Sequence, residues 1–425
     1  MQQRALCYRP GVRVLLINAF HYPRGGVERA IFDETAALGA AGHEVAHFAI
    51  RDPRNLPSPT SPWFAPPADY GERAPLARQI GQLPRAIWSF PAARALQRLL
   101  RAWPADVAHV HAPSRYLTPS VLRVLERMRI PTVMTLHDFK PWCTNRLMFA
   151  HGTPCERCKG GRHIQAFLTA CVQDSRAKSA VGALEAYVHD ALGVYATIDH
   201  WIAPSRFVRD KVAEHGLDPA RVTVIPHALA RPDPTATSGP APVPPGEPFV
   251  LYAGRLSIEK GVRLLPAVAM RLMPVPLVVA GTGPLAEWLS EQSASLPNLR
   301  LVGQLGRAEL EGVVARASVA LVPSLSYETF CYAVAEALLA GTPVVASRIG
   351  AIPELVVDEA GVLVPPGDAH ALAEACSHTI ADPDARARAR GGRMHVEALT
   401  DPARHLHALL EVFERARARH TTPAP

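Results

Sequence analysis

The sequence predicts an α/β protein made of two doubly wound domains with parallel sheets. Short apolar runs alternate with helical segments in both halves of the 425-residue chain, as is typical of buried parallel strands and their crossover helices. The first half holds six such strands, beginning with VRVLLINAF at Val12–Phe20. Residues 230–248 are rich in Pro, Gly, Ser and Thr and predict a linker. We therefore expect one domain over residues 1–229 and a second over residues 249–399.

Composition agrees with a soluble globular protein, since 48% of residues are hydrophobic and 20% are charged. The sequence has no run of about 18 apolar residues and no signal-peptide core, so we expect a cytoplasmic protein that does not span a membrane. The net charge of +7 favours anionic partners, namely phosphorylated substrates or anionic lipid. Nucleic acid is not expected, because no RNP-like aromatic strand or zinc-finger spacing is present.

A basic stretch runs from Glu72 to Trp103 and is interleaved with aromatic and aliphatic residues. It could lie on an anionic membrane surface at the inner face of the membrane. The alternative, which we favour, is a helix pair packed on the core with a solvated basic face. The arginines of this stretch are Arg73, Arg78, Arg85, Arg94, Arg98 and Arg101.

Two glutamates, Glu328 and Glu336, lie in a strand–loop–helix–strand unit with a helix predicted over Thr329–Leu339. Ligands of open α/β sheets bind at the carboxyl ends of strands, where Glu328 lies. A helix rises about 12 Å over this spacing, whereas hydrolase carboxylate pairs lie about 5–9.5 Å apart. We therefore expect the two carboxylates to bind opposite ends of one long ligand, the alternative being two solvated surface acids.

The start of this predicted helix offers the free N–H groups of Phe330, Cys331 and Tyr332 as an anion site. A carboxylate, an anion site and a second carboxylate would complement a sugar, a diphosphate and a ribose. Arg255 and Lys260, in the loop after the strand FVLYAGRL, would both reach such a diphosphate. An ordinary solvated pair of cations is the alternative for these two residues.

Two glycine pairs occupy loops where a backbone could approach a ligand closely. Gly25 and Gly26 follow the first strand, and Gly281 and Gly283 follow the strand PLVVA. The second pair also fits the dinucleotide fingerprint, but the acid that this fingerprint needs near the end of the next strand is absent. We therefore exclude NAD and expect either contact with a nucleotide sugar or a tight turn at each pair.

Four cysteines fall in an insertion over residues 138–175, with the spacing C-x11-C-x2-C-x12-C. This spacing permits a four-thiolate structural site for zinc or an iron–sulfur cluster, whereas disulfides are a poorer explanation in a cytosolic chain. Four unlinked thiols are the alternative. The residues concerned are Cys143, Cys155, Cys158 and Cys171.

The motifs of the second half resemble those of retaining glycosyltransferases of family GT4. Glu328 and Glu336 match the E-x7-E signature, and GRLSIEKG, AGTGP and IGAIPELV follow the order of that family. The resemblance implies the GT-B fold, in which two Rossmann-like domains face a cleft and a C-terminal helix, here residues 400–420, returns to the first domain. It also implies chemistry without a catalytic metal.

The resemblance further implies roles for individual residues. Glu328 would bind the sugar hydroxyls, Glu336 the ribose, and Arg255 with Lys260 the diphosphate. His137, at the end of the strand PTVMTLHD, would contact the sugar from across the cleft, and the Gly25–Gly26 loop would lie beside the acceptor and the donor phosphate. His111 keeps a structural interpretation.

The sequence departs from the family pattern in two places. Thr329 and Cys331 stand where glycines are frequent, and Pro226-His227-Ala228 replaces a usual Pro-Asn-Gly.

The resulting prediction is a retaining glycosyltransferase that moves a hexose-type sugar from a nucleotide-diphosphate sugar, expected to be a UDP-sugar, to a hydroxyl. We expect a lipid-linked or saccharide acceptor and a role in bacterial surface polysaccharide or glycolipid assembly. A GT-B sugar-nucleotide epimerase and a non-catalytic nucleotide-sugar-binding module are the alternatives.

Overall fold

A computed structural model describes residues 11–67, 84–230, 244, 246–357 and 359–421. It contains two six-stranded parallel sheets and a small antiparallel hairpin. The first sheet has the order β2-β1-β3-β4-β7-β8 and the second the order β11-β10-β9-β12-β13-β14. The strands are β1 Arg13–Asn18, β2 Glu44–Phe48, β3 Val107–Ala112, β4 Thr132–Thr135, β5 Phe149–Ala150, β6 Thr153–Pro154, β7 His200–Ala203, β8 Val222–Val224, β9 Val250–Ala253, β10 Leu277–Ala280, β11 Leu299–Gly303, β12 Val319–Val322, β13 Val344–Ser347 and β14 Gly361–Val364.

Helices cover both faces of each sheet, as a doubly wound fold requires. The α-helices are α1 Gly26–Ala40, α2 Phe90–Ala102, α3 Ser114–Leu117, α4 Ser120–Arg127, α5 Ile164–Thr169, α6 Arg176–Ala191, α7 Arg206–Glu214, α8 Leu265–Leu272, α9 Ala286–Ser293, α10 Arg307–Arg316, α11 Tyr332–Leu339, α12 Ile352–Leu355, α13 Ala369–Ala381, α14 Ala385–Thr400 and α15 Pro402–Thr421. The two-domain α/β fold predicted from the sequence is confirmed. Most of the predicted linker, residues 231–243 and 245, lies outside the described residues.

Strand β1 shows why the first sheet is buried on both faces. Leu15 and Ile17 point to one side, where they share a core with Leu96 and Leu99 of α2. Val14 and Leu16 point to the other side and pack with residues of α1 and α15. Because side chains alternate along a strand, a continuous apolar run must find an apolar partner on each face.

Helix α15 carries the end of the chain back from the second sheet to the first. Leu409 and Phe413 of this helix are buried against β1, β3, β4 and β7. The preceding helix α14 instead packs beside α11 of the second sheet. The break between the two helices falls at Thr400, whose carbonyl accepts a hydrogen bond from the Leu229 N–H at 2.9 Å.

The basic stretch expected near the N-terminal sheet is partly described, and α2 is its main element. Leu96 and Leu99 of α2 lie in the core, while Arg94, Arg98 and Arg101 are exposed on the opposite face. Phe90 at the helix start is 62% exposed. The described part therefore has the core-packed helix with a solvated basic face; Arg73 and Arg78 lie outside it. Within the described residues, every helix is too short or too polar to cross a membrane.

Two adjacent glycines of α14 offer a matched test of the packing between this helix and the second sheet. A Cβ on Gly392 would lie 2.2 Å from the Cβ of Ala360, whereas a Cβ on Gly391 would meet nothing within 4 Å. We expect Gly392→Ala to destabilise the protein by about 1–3 kcal/mol through overpacking. Gly391→Ala should stabilise it by about 0.5–1 kcal/mol through helix propensity. Urea unfolding of both variants measures the difference, and equal effects would contradict the close helix contact.

Candidate functional site

The carboxyl ends of the two sheets face each other across a cleft, and the loop from β12 to α11 is one of the contacts between them. The Thr329 hydroxyl, on this loop, donates a hydrogen bond to the carbonyl of His137 at 3.3 Å. His137 follows β4 of the first sheet, as expected from the sequence. The structure therefore brings the predicted Glu328 region and His137 to the same cleft.

The carboxylate of Glu328, on this loop, accepts three hydrogen bonds. Its two oxygens accept hydrogen bonds from Lys260 Nζ at 2.7 and 2.9 Å, and Oε1 also accepts one from the Ser324 hydroxyl at 2.6 Å. Burial disfavours the Lys260 ammonium, but the adjacent Glu328 carboxylate outweighs it and raises the pKa of Lys260. Lys260 is therefore charged at neutral pH, and two of the predicted catalytic residues form one ion pair, in which Glu328 is buried and the Lys260 side chain is 36% exposed.

The loop that carries Lys260 is pressed against the end of β12. Gly261 has φ +73°, and a Cβ there would lie 1.9 Å from the carbonyl oxygen of Pro323. Only glycine permits this backbone conformation together with this approach. The close contact fixes the 3₁₀ turn Ile258–Lys260 beside Glu328.

Glu336 lies farther along α11 and pairs with Arg29, which projects from α1 of the first sheet. The two side chains are 28% and 24% exposed, so this ion pair bridges the domains at the edge of the cleft. The adjacent carboxylate raises the pKa of Arg29 although burial opposes this. Sequence reasoning missed Arg29, because only the fold shows that α1 and α11 face each other.

Helix α11 begins at Tyr332, so the predicted start at Thr329 is wrong. The cause is Cys331, whose φ of +74° and ψ of +77° cannot belong to a right-handed helix. A left-handed conformation costs a non-glycine residue about 1–2 kcal/mol, which explains why glycine is frequent at this place in the family pattern. The N–H groups of Phe330 and Cys331 thus precede the helix, and the helical N–H groups begin with Tyr332.

Three rings stack across the cleft next to this helix start. The ring of His227 lies parallel to that of His137, with 5.1 Å between centroids, and parallel to that of Tyr332 at 5.3 Å. Burial lowers the pKa of His227 to about 3, so the ring is neutral at neutral pH. His227, which replaces the usual Asn of the family pattern, thereby forms an aromatic link between the domains.

The glycine pair at the start of α1 also serves this contact. A Cβ on Gly26 would lie 2.9 Å from Cε2 of Tyr332, while Gly25 is the N-cap of α1. Close approach of the two domains therefore gives Gly26 a structural role. A ligand role for either residue stays a prediction.

The second glycine pair packs against the loop of Arg255. A Cβ on Gly281 would lie 2.0 Å from the Gly254 carbonyl oxygen, and one on Gly283 would lie 2.4 Å from the Leu256 carbonyl oxygen. The tight-turn interpretation therefore has direct support from contacts. Arg255 itself is exposed between these two contacts, and its contact with a diphosphate stays a prediction.

The four cysteines of the insertion are free thiols. Among the described residues, no three of their sulfur atoms lie within 4.8 Å of one another. Cys143 is buried and its thiol contacts the Asn145 side-chain oxygen at 3.0 Å. Burial raises the pKa of Cys158, but His163 outweighs this and lowers it. A metal site at the four cysteines stays a prediction.

His111, expected to be structural, lies directly behind His137. Its Nδ1 is 2.9 Å from Nε2 of His137, within hydrogen-bond distance. Burial, and then the neighbouring His227, hold the pKa of His137 well below its usual value. The cleft thus contains a neutral His137 in contact with two further histidines.

Comparisons with known proteins agree with this geometry. The family model described as Glycosyltransferase Family 4 matches residues 24–229, and the one described as Glycosyl transferases group 1 matches residues 247–382. The glycogen synthase of Mycobacterium tuberculosis strain H37Rv is 28% identical over 97% of both chains. A phosphatidylinositol N-acetylglucosaminyltransferase component of Arabidopsis thaliana is 27% identical, over 84% of this chain and 72% of the other.

A solved structure provides the fold comparison. The Anabaena protein HepE in complex with UDP-glucose superposes with a TM-score of 0.64 at 17% identity, covering 95% of this chain and 99% of the other. The two family models together cover most of the chain. They agree with the two parallel-sheet domains and with the E-x7-E loop at the cleft between them. The chain therefore belongs to glycosyltransferase family 4 and is a glycosyltransferase with the GT-B fold.

Proposed function

We propose that the protein is a retaining glycosyltransferase that moves a hexose-type sugar from a nucleotide-diphosphate sugar to a hydroxyl acceptor. The observation that carries this proposal is the Lys260–Glu328 pair beside the cleft, in which the carboxylate is buried and the ammonium is partly exposed. Free sugar hydroxyls can donate to the Glu328 carboxylate while Lys260 neutralises an adjacent phosphate. The two side chains would thus contact the donor on both sides of the bond between the sugar and the phosphate, which is the bond that breaks.

The remaining donor contacts follow from the direction of α11. The N–H groups at the start of the helix, beginning with Tyr332, favour an anion. Glu336, farther along the same helix, would bind the ribose hydroxyls in place of, or together with, Arg29. Arg255 is exposed on the neighbouring loop and would add a second cation at the diphosphate. Charge that develops on the leaving diphosphate would meet cations and helix N–H groups already in place.

Retention of configuration would follow from attack on the same face as the leaving group. The leaving phosphate oxygen would accept the proton of the acceptor hydroxyl, so the bond from the anomeric carbon to the phosphate breaks as the new glycosidic bond forms. His137 would contact the sugar, and its lowered pKa keeps the ring neutral. Glu328 is held by Lys260 and Ser324 and so serves binding better than proton transfer. No catalytic metal is needed in this scheme.

Donor and acceptor classes are suggested by the similar proteins. HepE was solved with UDP-glucose, which supports a UDP-sugar as the donor. The glycogen synthase is named for a polysaccharide, and the phosphatidylinositol N-acetylglucosaminyltransferase for a lipid. We propose a saccharide or lipid-linked acceptor and a role in bacterial surface polysaccharide or glycolipid assembly at the cytoplasmic face of the membrane. The exposed basic face of α2 supports peripheral contact with anionic lipid.

Donor binding can be measured as thermal stabilisation by a panel of UDP-, GDP-, ADP- and TDP-sugars. A donor present at about 100 times its dissociation constant should add about 2.7 kcal/mol to the free energy of unfolding. Glu328→Gln and Glu336→Gln should each reduce this stabilisation. Glu397→Gln is the matched control, because Glu397 pairs with Arg393 at 2.6 Å but lies on α14, where we place no ligand contact. Stabilisation by no nucleotide, or equal loss in the control, would contradict the donor site.

The reaction class can be tested with the donor identified in that panel. Incubation with an acceptor should give a product whose anomeric configuration equals that of the donor, as read by the proton coupling constant at the anomeric carbon. EDTA should leave the initial rate unchanged. An inverted product would exclude the proposed same-face attack. Acceptor-independent conversion of the donor sugar would favour a sugar-nucleotide epimerase instead.

Membrane contact can be tested by flotation with vesicles of phosphatidylcholine and phosphatidylglycerol. Arg94→Glu/Arg98→Glu should weaken binding about 30-fold or more, because each arginine near an anionic surface contributes about 1 kcal/mol. Arg271→Glu/Arg390→Glu makes the same charge change at two exposed helix positions of the second domain and is the control. Equal binding by the two double variants would contradict a role for α2.

A further inference from the structure

A group of buried histidines surrounds one glutamate behind the cleft, outside the set of residues assigned to the donor. Glu34 lies on α1, His109 and His111 on β3, and His405 on α15. Their exposed fractions are 4%, 0%, 1% and 8%. Four polar side chains from three elements of the first domain thus meet where almost no water reaches.

The atoms that meet in this cluster lie close together without making well-aligned hydrogen bonds. Oε2 of Glu34 lies 3.0 Å from Nδ1 of His109 and 3.4 Å from Nε2 of His111, and these three atoms all lie within 4.8 Å of one another. Nε2 of His405 lies 3.6 Å from Oε1 of Glu34. Oε2 and all three of these nitrogens are buried without a hydrogen bond. Buried polar atoms are normally satisfied, so a convergent set of three such atoms points to a missing partner.

In each histidine, the ring nitrogen that points away from Glu34 has a hydrogen-bond partner outside the cluster. Nε2 of His109 is 2.7 Å from the Thr135 hydroxyl, and Nδ1 of His111 is 2.9 Å from Nε2 of His137. Nδ1 of His405 donates to the carbonyl of Pro226 at 2.8 Å. Such outer hydrogen bonds fix the ring orientation of metal-binding histidines and leave the inner nitrogen with its lone pair free.

We propose that Glu34, His109 and His111 bind a divalent transition metal of the zinc type, with His405 beside the other oxygen of Glu34. Tetrahedral zinc with bonds of about 2.0–2.1 Å places its ligand atoms about 3.4 Å apart, close to the observed 3.0 and 3.4 Å. Because all three ligands are almost completely buried, the metal is expected to be structural. This inference goes beyond the proposed transfer reaction and does not depend on it.

The proposed site has two consequences within the fold. It joins α1 to β3, and the 3.6 Å contact of Glu34 with His405 places the site beside the returning C-terminal helix α15. It also requires that Nδ1 of His111 carries the proton, which is then donated to Nε2 of His137. His111 becomes a positioning residue that holds the ring of His137 in one orientation.

The experiment is a metal count by plasma mass spectrometry on protein purified in zinc-containing buffer and then desalted. His109→Gln removes Nδ1 but retains an amide that can reach Thr135. His200→Gln is the matched control, since His200 is also buried in the same sheet and its Nε2 contacts the Thr223 hydroxyl at 2.8 Å. We expect His109→Gln to hold one equivalent less metal than the wild type, and His200→Gln to hold the wild-type amount.

The four cysteines are a second place where zinc could bind, so the count must separate the two sites. Cys155→Ser/Cys158→Ser should keep one equivalent of metal. X-ray absorption of the wild-type protein provides a measurement that needs no variant to fold, because Zn–N bonds of about 2.0–2.1 Å differ from Zn–S bonds of about 2.3 Å. A nitrogen and oxygen shell is expected. A wild-type protein with no transition metal, or with a sulfur shell alone, overturns the proposal in favour of a metal-free charge network.

Discussion

The ion pair between Lys260 and Glu328 is the interaction on which the rest of the cleft depends. The Glu328 carboxylate is largely removed from water, and hydrogen bonds from Lys260 and the Ser324 hydroxyl compensate for its lost hydration, while Lys260 stays partly exposed. The glycine contact of Gly261 with Pro323 sets the approach of the two loops. A partly exposed ion pair of this kind adds little stability, but it holds the two loops in one arrangement.

Much of the fold could be predicted because its determinants are local. Apolar runs such as Val12–Phe20 identified the buried strands, and the six strands of the first sheet follow the expected alternation. The start of α11 could not be predicted from helix propensity, because Cys331 adopts a left-handed backbone conformation that tertiary contacts impose. The sequence shows that Cys331 stands where glycine is frequent. Only the backbone angle φ of +74° shows that the cysteine adopts a conformation that is unfavourable for a residue with a side chain.

The candidate site was predictable where one domain carries it and unpredictable where two domains share it. Glu328 and Lys260 lie on loops after adjacent strands β12 and β9, and motifs assigned both to one donor site, although their direct ion pair was not predicted. The partner of Glu336, by contrast, is Arg29, far away in sequence on another domain. In the sequence, His227 is only a departure from the family pattern in a loop. The structure shows that its ring lies between those of His137 and Tyr332. Sequence spacing carries no information about such contacts across a cleft.

The contacts that close the cleft are many and individually weak. An ion pair about one quarter exposed, such as that of Arg29 with Glu336, contributes on the order of 0–1 kcal/mol. Glu354 of the second domain adds hydrogen bonds from the Arg206 and Phe207 N–H groups, at 3.0 and 2.6 Å, at the start of α7. Ribose hydroxyls could therefore replace Arg29 as the partner of Glu336 with little loss of free energy, while the other contacts keep the domains together. When many weak contacts hold two domains together, the cleft can open without the loss of any single strong interaction. Such opening would let a ligand enter and a product leave.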